Sequence, residues 1–313
     1  MSTLFISGLI NIETTVAIPG FPLPYAPVHY PFHGIHSSVS GVGVNLATAL
    51  HRLDNQVYLH SLIGPDLAGE TVILSLQQLG LDCSGITPSL SATPQSVILS
   101  DPQGRRQIQV DLKECQEQEL PREAVYRLQQ CDMALLCNIN FSRPLLAEAK
   151  RQHKPIATDV HVLWDIDDPY NRDFMAAADI LFLSDEGLDG RPADEFLREI
   201  AGRYRTPLIV LGRGAHGSLL YQHADRSLFH VPAHAPRGVR NTVGAGDALF
   251  SAFIHEWQQH HDARLALQRA SLFAGWKVGA VGAAEGLPDV NEWQQLLTTH
   301  AESSDCGNIP SGD

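Results

Sequence analysis

The chain of 313 residues carries 22 Lys and Arg against 35 Asp and Glu, and its formal net charge of −13 argues against nucleic acid as a main partner. With 44% hydrophobic and 18% charged residues, it has ample apolar material for a core, which excludes disorder as the main state. Residues 1–9 lack a basic leader and no apolar run reaches about 18 residues, so we expect a cytoplasmic protein with no membrane partner.

Cysteine and histidine usage gives no sign of a disulfide framework or a metal centre. The five cysteines are odd in number, widely spread and free of any C-x-x-C pairing: Cys83, Cys115, Cys131, Cys137 and Cys306. This pattern predicts free thiols. The 15 histidines show no ligand spacing with cysteines or acid clusters, so we expect no structural metal site.

Short apolar runs alternate with amphipathic patterns along most of the chain. The runs predict strands at 4–9, 57–63, 133–137, 180–183, 208–211 and 218–221. Helical periodicity predicts helices at 42–53, 67–79, 144–151, 192–204 and 263–281. Asp66 is expected to cap the second of these helices. Because several strand runs are apolar throughout, we expect an open, mostly parallel α/β sheet covered on both faces.

Two segments interrupt this alternation. Residues 12–40 contain five prolines among aromatic and β-branched residues and have no helical period. Residues 96–112 alternate around the turn sequence Asp-Pro-Gln-Gly at 101–104, which predicts a hairpin. We expect both segments to form a small β-lid near the carboxyl edge of the sheet, where ligands bind in open α/β folds. The chain is thus divided into one α/β domain over 1–300 and a flexible tail over 301–313.

The stretch with the clearest chemistry spans residues 241–247, Asn-Thr-Val-Gly-Ala-Gly-Asp, and helical spacing follows it. The glycines let the backbone approach a ligand, and the first amides of the helix point outward unpaired. Such a helix N-terminus is an anion site. Asp247 has two interpretations: a residue that compensates the helix dipole, or a base that takes the proton of a hydroxyl attacking a phosphoryl group.

This stretch resembles the second signature, D-T-x-G-A-G-D, of the ribokinase-like (PfkB-type) carbohydrate kinase family, with Asn241 in place of the first Asp. The resemblance implies an ATP-dependent kinase that phosphorylates a hydroxyl of a small sugar or nucleoside. In that interpretation Asp247 is the base, and the turn of Gly244, Ala245, Gly246 and Asp247 is the anion hole. The amides of its last three residues stabilise charge on the transferred group.

Other parts of the chain, over about residues 4–290, resemble the same family in the same order, which implies a ribokinase-like fold. Residues 40–45, Ser-Gly-Val-Gly-Val-Asn, are similar to its first signature, G-G-x-G-x-N, and 11–13 are similar to its N-x-D element. This likeness implies that the acceptor is bound by Asn11, Glu13, Gly41 and Asn45. From the residues alone, a strand-to-helix turn and solvated loop side chains would be the preferred explanation.

The predicted contacts with the nucleotide rest on shorter sequence matches. Residues 214–217, Gly-Ala-His-Gly, resemble the family turn that passes the nucleotide phosphates, and a plain hairpin turn is the competing interpretation. The resemblance implies that ATP is contacted by Ser184, Gly212, Gly214, Gly217 and Thr242.

The metal ions implied by the family are less well supported by this sequence. Members commonly carry N-x-x-E after a central strand, whereas Ser184 and Gly187 stand at those positions here. Mg²⁺ is still expected with ATP, with Asp185 or Glu186 as the substitute near it. Asn241 puts the monovalent-cation site of the family in question. Lid strands form dimer contacts in some members, which implies a homodimer through the lid as one arrangement.

The acceptor and the activity leave alternatives open. The aromatic, histidine-rich lid with few Lys or Arg favours a neutral sugar or nucleoside, whereas Asn241 favours a sugar phosphate. A catalytically silent sugar- or nucleotide-binding regulatory homologue is favoured by the departures at Ser40, Glu13, Asn241 and 184–187, whereas the retention of Asp247 argues against it. An oxidoreductase is disfavoured because Gly8 stands alone where G-x-G-x-x-G is required after the first strand.

Overall fold

The computed structural model describes residues 2–118, 122–280, 282 and 284–305. The strands, in chain order, are β1 (Thr3–Ser7), β2 (Asn11–Ala17), β3 (Ile35–Ser40), β4 (Gln56–Leu62), β5 (Ile86–Thr87), β6 (Gln95–Ser100), β7 (Arg106–Asp111), β8 (Met133–Leu136), β9 (Ile156–Val162), β10 (Ile180–Ser184), β11 (Leu208–Gly212), β12 (Ser218–Gln222) and β13 (Ser227–Val231).

The helices are α1 (Val42–Arg52), α2 (Leu67–Gln78), α3 (Arg122–Gln130), α4 (Arg143–Arg151), α5 (Arg172–Ala177), α6 (Ala193–Tyr204), α7 (Ala245–His260), α8 (Ala263–Lys277) and α9 (Val290–Asp305). Within the described ranges, none of them has the length and apolar character needed to span a bilayer. Helix α9 includes the first residues of the expected tail, and the rest of that tail, 306–313, lies outside the described residues.

A sheet of nine strands forms the centre of the fold, in the order β13-β12-β11-β10-β9-β8-β1-β4-β5. The strands from β11 to β5 in that order pair in parallel, and β12 and β13 add an antiparallel edge. This confirms the open, mostly parallel sheet predicted from the buried apolar runs. The carboxyl ends of the parallel strands lie along one edge, where this architecture places ligands.

Two apolar layers cover the sheet, because its strands are apolar on both faces. Helices α1, α2, α7, α8 and α9 pack on one face, with Phe250, Phe253 and Phe273 fully buried between them and the strands. Helices α3 to α6 cover the other face, around Phe174 and Phe196.

A second sheet of four strands, in the order β3-β2-β6-β7, brings the two lid segments together, and we call it the lid sheet. Strands β6 and β7 form the predicted hairpin, closed by Asp101, whose Oδ1 accepts from the backbone N–H groups of Gln103 and Arg105. Strand β2 pairs antiparallel with β3 and parallel with β6. Between β2 and β3, residues 18–34 form no strand, and Tyr25 and Phe32 are largely exposed there.

Several elements were not predicted, for identifiable reasons. Strand β9 carries Thr158, Asp159 and His161 among its apolar residues, so the run is interrupted. Helix α8 ends at Lys277 rather than at the predicted residue 281, and Val278 is its C-terminal cap.

The cysteines are free thiols, as predicted, at Cys83, Cys115, Cys131 and Cys137. Cys306 lies outside the described residues.

Helix α9 is anchored by one buried hydrogen bond, which gives a test of the fold. Trp293 is fully buried and its Nε1 donates to Glu256 Oε1 of α7 at 2.9 Å. The change Trp293→Phe keeps an aromatic ring but leaves that buried carboxylate oxygen without its donor. We expect the free energy of unfolding, measured in urea, to fall by about 1–3 kcal/mol. Trp164→Phe, at an exposed tryptophan, is the matched control, and equal stability of the two variants would contradict this packing.

Candidate active site

The turn before α7 has the backbone geometry of an anion site. Gly244 adopts a left-handed conformation, with φ 76° and ψ 6°, and α7 begins at Ala245. The N–H of Ala245 donates to the Thr242 carbonyl at 3.1 Å, so this amide is used within the turn. Among the described residues, no backbone carbonyl accepts from the N–H groups of Gly246 and Asp247. The anion hole expected from three amides is therefore left with two that are free to bind a ligand.

Asp247 meets Asn45, the last residue of the first signature, across 202 positions of sequence. Asn45 Nδ2 donates to Asp247 Oδ2 at 2.7 Å, because α1 packs directly against α7. Asn45 is 6% exposed, and its Oδ1 has no hydrogen-bond partner within the described part of the chain. The two motifs thus form one site, which contains an unpaired buried acceptor.

Electrostatics make the Asp247 carboxylate a stronger base than an exposed aspartate. Burial raises its pKa, and the hydrogen bond from Asn45 opposes that shift. Among nearby charges, Asp159 also raises the pKa, while His161 and Lys277 lower it. A carboxylate with a raised pKa in a ligand site is suited to accept a proton.

Strand β2 of the lid sheet supplies Asn11 and Glu13. Glu13 Oε2 accepts from Ser40 Oγ at 3.2 Å, so two departures from the family motifs are bonded to each other. Burial raises the pKa of Glu13, and the charge of Asp247 raises it further, whereas Lys277 lowers it. The lid carboxylate therefore lies close to the candidate base.

Asn11 is held inside the lid sheet with part of its amide unsatisfied. Its Nδ2 donates to Ser96 Oγ at 2.8 Å, and the residue is 4% exposed. Its Oδ1 has no partner among the residues that the structure describes. A buried amide oxygen costs free energy unless something donates to it, so this atom and its counterpart on Asn45 are candidate acceptor contacts.

Packing requires glycine at Gly41, before α1, and at Gly217, before β12. A Cβ on Gly41, at φ 109°, would lie 2.5 Å from the Leu9 carbonyl oxygen, and one on Gly217, at φ 85°, would lie 2.0 Å from that of Val231. Gly41 was expected to contact the acceptor and Gly217 the nucleotide, and packing gives a separate reason for both glycines. Their contacts with acceptor and nucleotide stay predictions.

The predicted nucleotide residues lie along the carboxyl edge of the sheet. Ser184 and Gly212 are paired neighbours at the ends of β10 and β11, and Gly214 begins the turn that leads to β12. Ser184 Oγ accepts from the Glu186 N–H at 3.3 Å, so it caps a short turn. Thr242 is exposed beside the anion hole. Gly217 directly precedes β12, whose first residue, Ser218, pairs with Gly212.

Acidic side chains near this edge fit a magnesium ion bound largely through water. Asp185 follows β10 and has Arg213 Nε at 3.8 Å, and Glu186 beside it is exposed. Asp159 of β9 is buried and accepts from the His161 N–H at 2.7 Å. In the described ranges no three His, Cys, Asp or Glu side chains are grouped to hold a metal. Mg²⁺ commonly keeps its waters and uses one or two carboxylates with substrate phosphates, so the donor set fits.

Four ionisable residues of the site were not predicted from the sequence. Asp159 and His161 interrupt a buried strand, which was the only available signal. Lys277 is fully buried at the end of α8, and its Nζ donates to the Val243 carbonyl. Arg106 of β7 is exposed, yet its charge acts on both Glu13 and Lys277. The lid, expected to offer few basic residues, therefore brings one arginine to the site.

The protein combines a mostly parallel α/β sheet and a small second sheet with a helix N-terminus suited to an anion. A carboxylate with a raised pKa lies beside that N-terminus. This combination is typical of a phosphotransferase with an alcohol group as acceptor. The model of the pfkB family of carbohydrate kinases matches residues 1–290. The chain belongs to this family, and it is a sugar or nucleoside kinase of that kind.

Two curated relatives are kinases, and one solved structure has the same fold. An acarbose 7(IV)-phosphotransferase of Actinoplanes sp. is 26% identical over 254 residues, covering 80% of this chain and 83% of the relative. A deoxyribokinase of Salmonella typhi is 25% identical over 300 residues, covering 82% and 87%. The solved structure of a microbiome-derived acarbose kinase superimposes with a TM-score of 0.82 at 24% identity, covering 95% of this chain and 99% of that one.

Proposed function

We propose that this protein transfers the γ-phosphoryl group of ATP to a hydroxyl of a neutral sugar or nucleoside, with Asp247 as the general base. The observation that carries the proposal is the placement of Asp247. Its carboxylate lies at the N-terminus of α7, beside two unpaired amides, and is held by Asn45 from the other end of the chain. Base and anion site are thus adjacent, as phosphoryl transfer to an alcohol requires.

The acceptor is bound by groups that suit a polyhydroxyl compound. The unpaired oxygens of Asn11 and Asn45 each accept a hydrogen bond from a hydroxyl, and Glu13 accepts a stronger, charge-assisted one. Cross-strand register puts Ile108 and Val110 on the same side of the lid sheet as Glu13. These exposed apolar side chains suit the C–H face of a sugar or a base.

The chemical step needs one proton acceptor and one anion site. The acceptor O–H bond breaks and its proton passes to the Asp247 carboxylate, while the acceptor oxygen bonds to the γ-phosphorus. The bond from that phosphorus to the β,γ-bridging oxygen breaks, and ADP leaves with the electron pair. The N–H groups of Gly246 and Asp247 stabilise the charge on the transferred group, and closure of the lid sheet excludes water.

The nucleotide lies along Ser184, Gly212, Gly214 and Gly217 and reaches Thr242 at the anion hole in this proposal. Magnesium, when bound with ATP, neutralises phosphate charge, and Asp185 and Asp159 are the carboxylates that would hold it through water. The exposed Glu186 is the further candidate.

A screen of ATP consumption with Mg²⁺ over neutral sugars, oligosaccharides, nucleosides and sugar phosphates tests the proposal. We expect ADP release with at least one neutral acceptor and none without it. A protein whose melting temperature rises with these compounds but that releases no ADP would be a binding homologue, and the kinase proposal would be wrong.

One observation favours a sugar phosphate as a second candidate acceptor. Arg106 shares the side of the lid sheet that carries Glu13, and its charge lowers the pKa of Glu13. The variant Arg106→Gln separates the two candidates. We expect the KM of a neutral acceptor to stay unchanged, whereas a rise confined to phosphorylated acceptors would favour the second candidate.

Three further expectations belong to the same proposal. They are one domain over 1–300 closed by the lid segments 12–40 and 96–112, a homodimer through the lid sheet, and a cytosolic location. Sedimentation equilibrium at graded concentrations tests the dimer, and a monomer at all of them would contradict it.

A further inference from the structure

Lys277 is a charged residue in a place where charge is costly. It is the last residue of α8 and 0% exposed, and its Nζ donates to the backbone carbonyl of Val243. Burying an ammonium group is costly unless the group is well paired. Val243 directly precedes Gly244, where the anion hole begins. The ammonium therefore lies immediately behind the part of the turn that receives phosphate.

The end of α8 holds this turn through the backbone as well. The N–H groups of Arg240 and Asn241 donate to the Val278 carbonyl at 2.8 and 3.1 Å. Asn241 Oδ1 accepts from the Val243 N–H at 2.9 Å, which closes the turn from within. The side chain of Lys277 completes the attachment at the point nearest to the helix N-terminus.

We propose, on the basis of the function proposed above, that Lys277 is a positioning residue: its ammonium acts as a built-in cation that fixes the Val243 carbonyl and the anion hole, in place of a separate monovalent cation.

The polar groups of the turn do not fit an additional cation. Monovalent cations are bound by rings of backbone carbonyl oxygens. Here the Val243 carbonyl accepts from Lys277, and the Val278 carbonyl accepts from Arg240 and Asn241. A second positive charge next to the buried ammonium would also be repelled. The cation dependence that the family resemblance left open is therefore expected to be absent.

The same ammonium stabilises the charged form of the base. Lys277 lowers the pKa of Asp247, so it favours the ionised carboxylate that accepts the proton. Burial lowers the pKa of Lys277 itself to about 8. The charges that face it are Asp247, Glu13 and Glu285, which raise that pKa, and Arg106, which lowers it. The built-in cation is thus present below pH 8 and lost as the pH rises through it.

The variant Lys277→Met tests the proposal, because methionine fills similar volume without a charge or a donor. We expect kcat to fall about tenfold or more, since small displacements of a catalytic site are costly. In Lys277→Ala, which leaves the space of the side chain open, ammonium or methylamine in the buffer should restore part of kcat. The fall of kcat/KM above about pH 8, expected in the unaltered enzyme from the pKa of Lys277, should be missing in Lys277→Met. Lys150→Met, at a half-exposed lysine in the last turn of α4, is the matched control and should match the unaltered enzyme.

Two readouts do not depend on the variant's turnover. Affinity for an ATP analogue with an imido β,γ bridge should fall in Lys277→Met while ADP affinity is kept, because only the former reaches the anion hole. The unaltered enzyme should turn over equally in potassium and tetramethylammonium buffers. Strong activation by potassium, or a folded variant with normal kcat and analogue affinity, would overturn the proposal. If the unaltered protein binds the analogue but phosphorylates no acceptor, the proposed function fails and the analogue comparison still tests Lys277.

Discussion

Asp247→Asn is expected to lower kcat by about 10²- to 10⁴-fold, the usual contribution of a positioned general base. Asparagine keeps an oxygen that can accept from Asn45 Nδ2, so the geometry seen at 2.7 Å is retained while the proton acceptor is lost. The free energy of unfolding should not fall. Burial raises the pKa of Asp247, which means that keeping its carboxylate ionised in the folded protein costs free energy. The neutral asparagine avoids this cost.

The control for this variant is a first-turn aspartate of another helix. Asp194 lies in the first turn of α6 and is exposed, so Asp194→Asn removes the same charge from a helix N-terminus without touching the site. Steady-state ADP release and the melting temperature are measured for both. If the two variants behave alike, Asp247 only compensates the dipole of α7 and the assigned base is wrong.

Glu13→Gln is expected to raise the KM for the acceptor about tenfold or more, the loss of one charge-assisted hydrogen bond. Glutamine still accepts from Ser40 Oγ, so the lid sheet should keep its shape. The KM for ATP should stay unchanged, because β2 contacts only the acceptor in the proposed mechanism. Burial raises the pKa of Glu13, so the acceptor KM should also rise as the pH falls through that raised value.

Asp111→Asn is the matched control for the lid. Asp111 lies on β7, on the side of the lid sheet opposite to Glu13, and is exposed. Acceptor and ATP kinetics of the three proteins are compared at one pH. An unchanged acceptor KM in Glu13→Gln would mean that the acceptor does not contact β2, and the proposed role of the lid sheet in acceptor binding would be wrong.

The fold followed from local patterns to a large extent. Apolar runs at 180–183 and 208–211 are the neighbouring parallel strands β10 and β11, and the turn at 101–104 joins the predicted hairpin. Asp66 caps α2 as expected, with Oδ1 accepting from the Gly69 N–H at 2.8 Å. Patterns of this kind are set within a few residues, which is why they are readable without tertiary contacts.

The site was predictable only where a motif carries its own geometry. Residues 241–247 indicated a helix N-terminus with an acid, and the structure has one. The contact between Asn45 and Asp247 could not be predicted from spacing, because it depends on how α1 packs against α7. Lys277 was missed for a similar reason: in an amphipathic pattern, a lysine at a helix end is usually solvated, and its burial is a tertiary effect.

Transfer of a labelled γ-phosphoryl group from ATP in a single turnover, with an acceptor found in the screen, tests the central claim most directly. We expect phosphorylated acceptor and ADP in equal amounts from the unaltered protein. We expect almost no transfer from Asp247→Asn, although that variant should bind both reactants as before. Equal rates of transfer in the two proteins would contradict the role of Asp247 and the mechanism built on it.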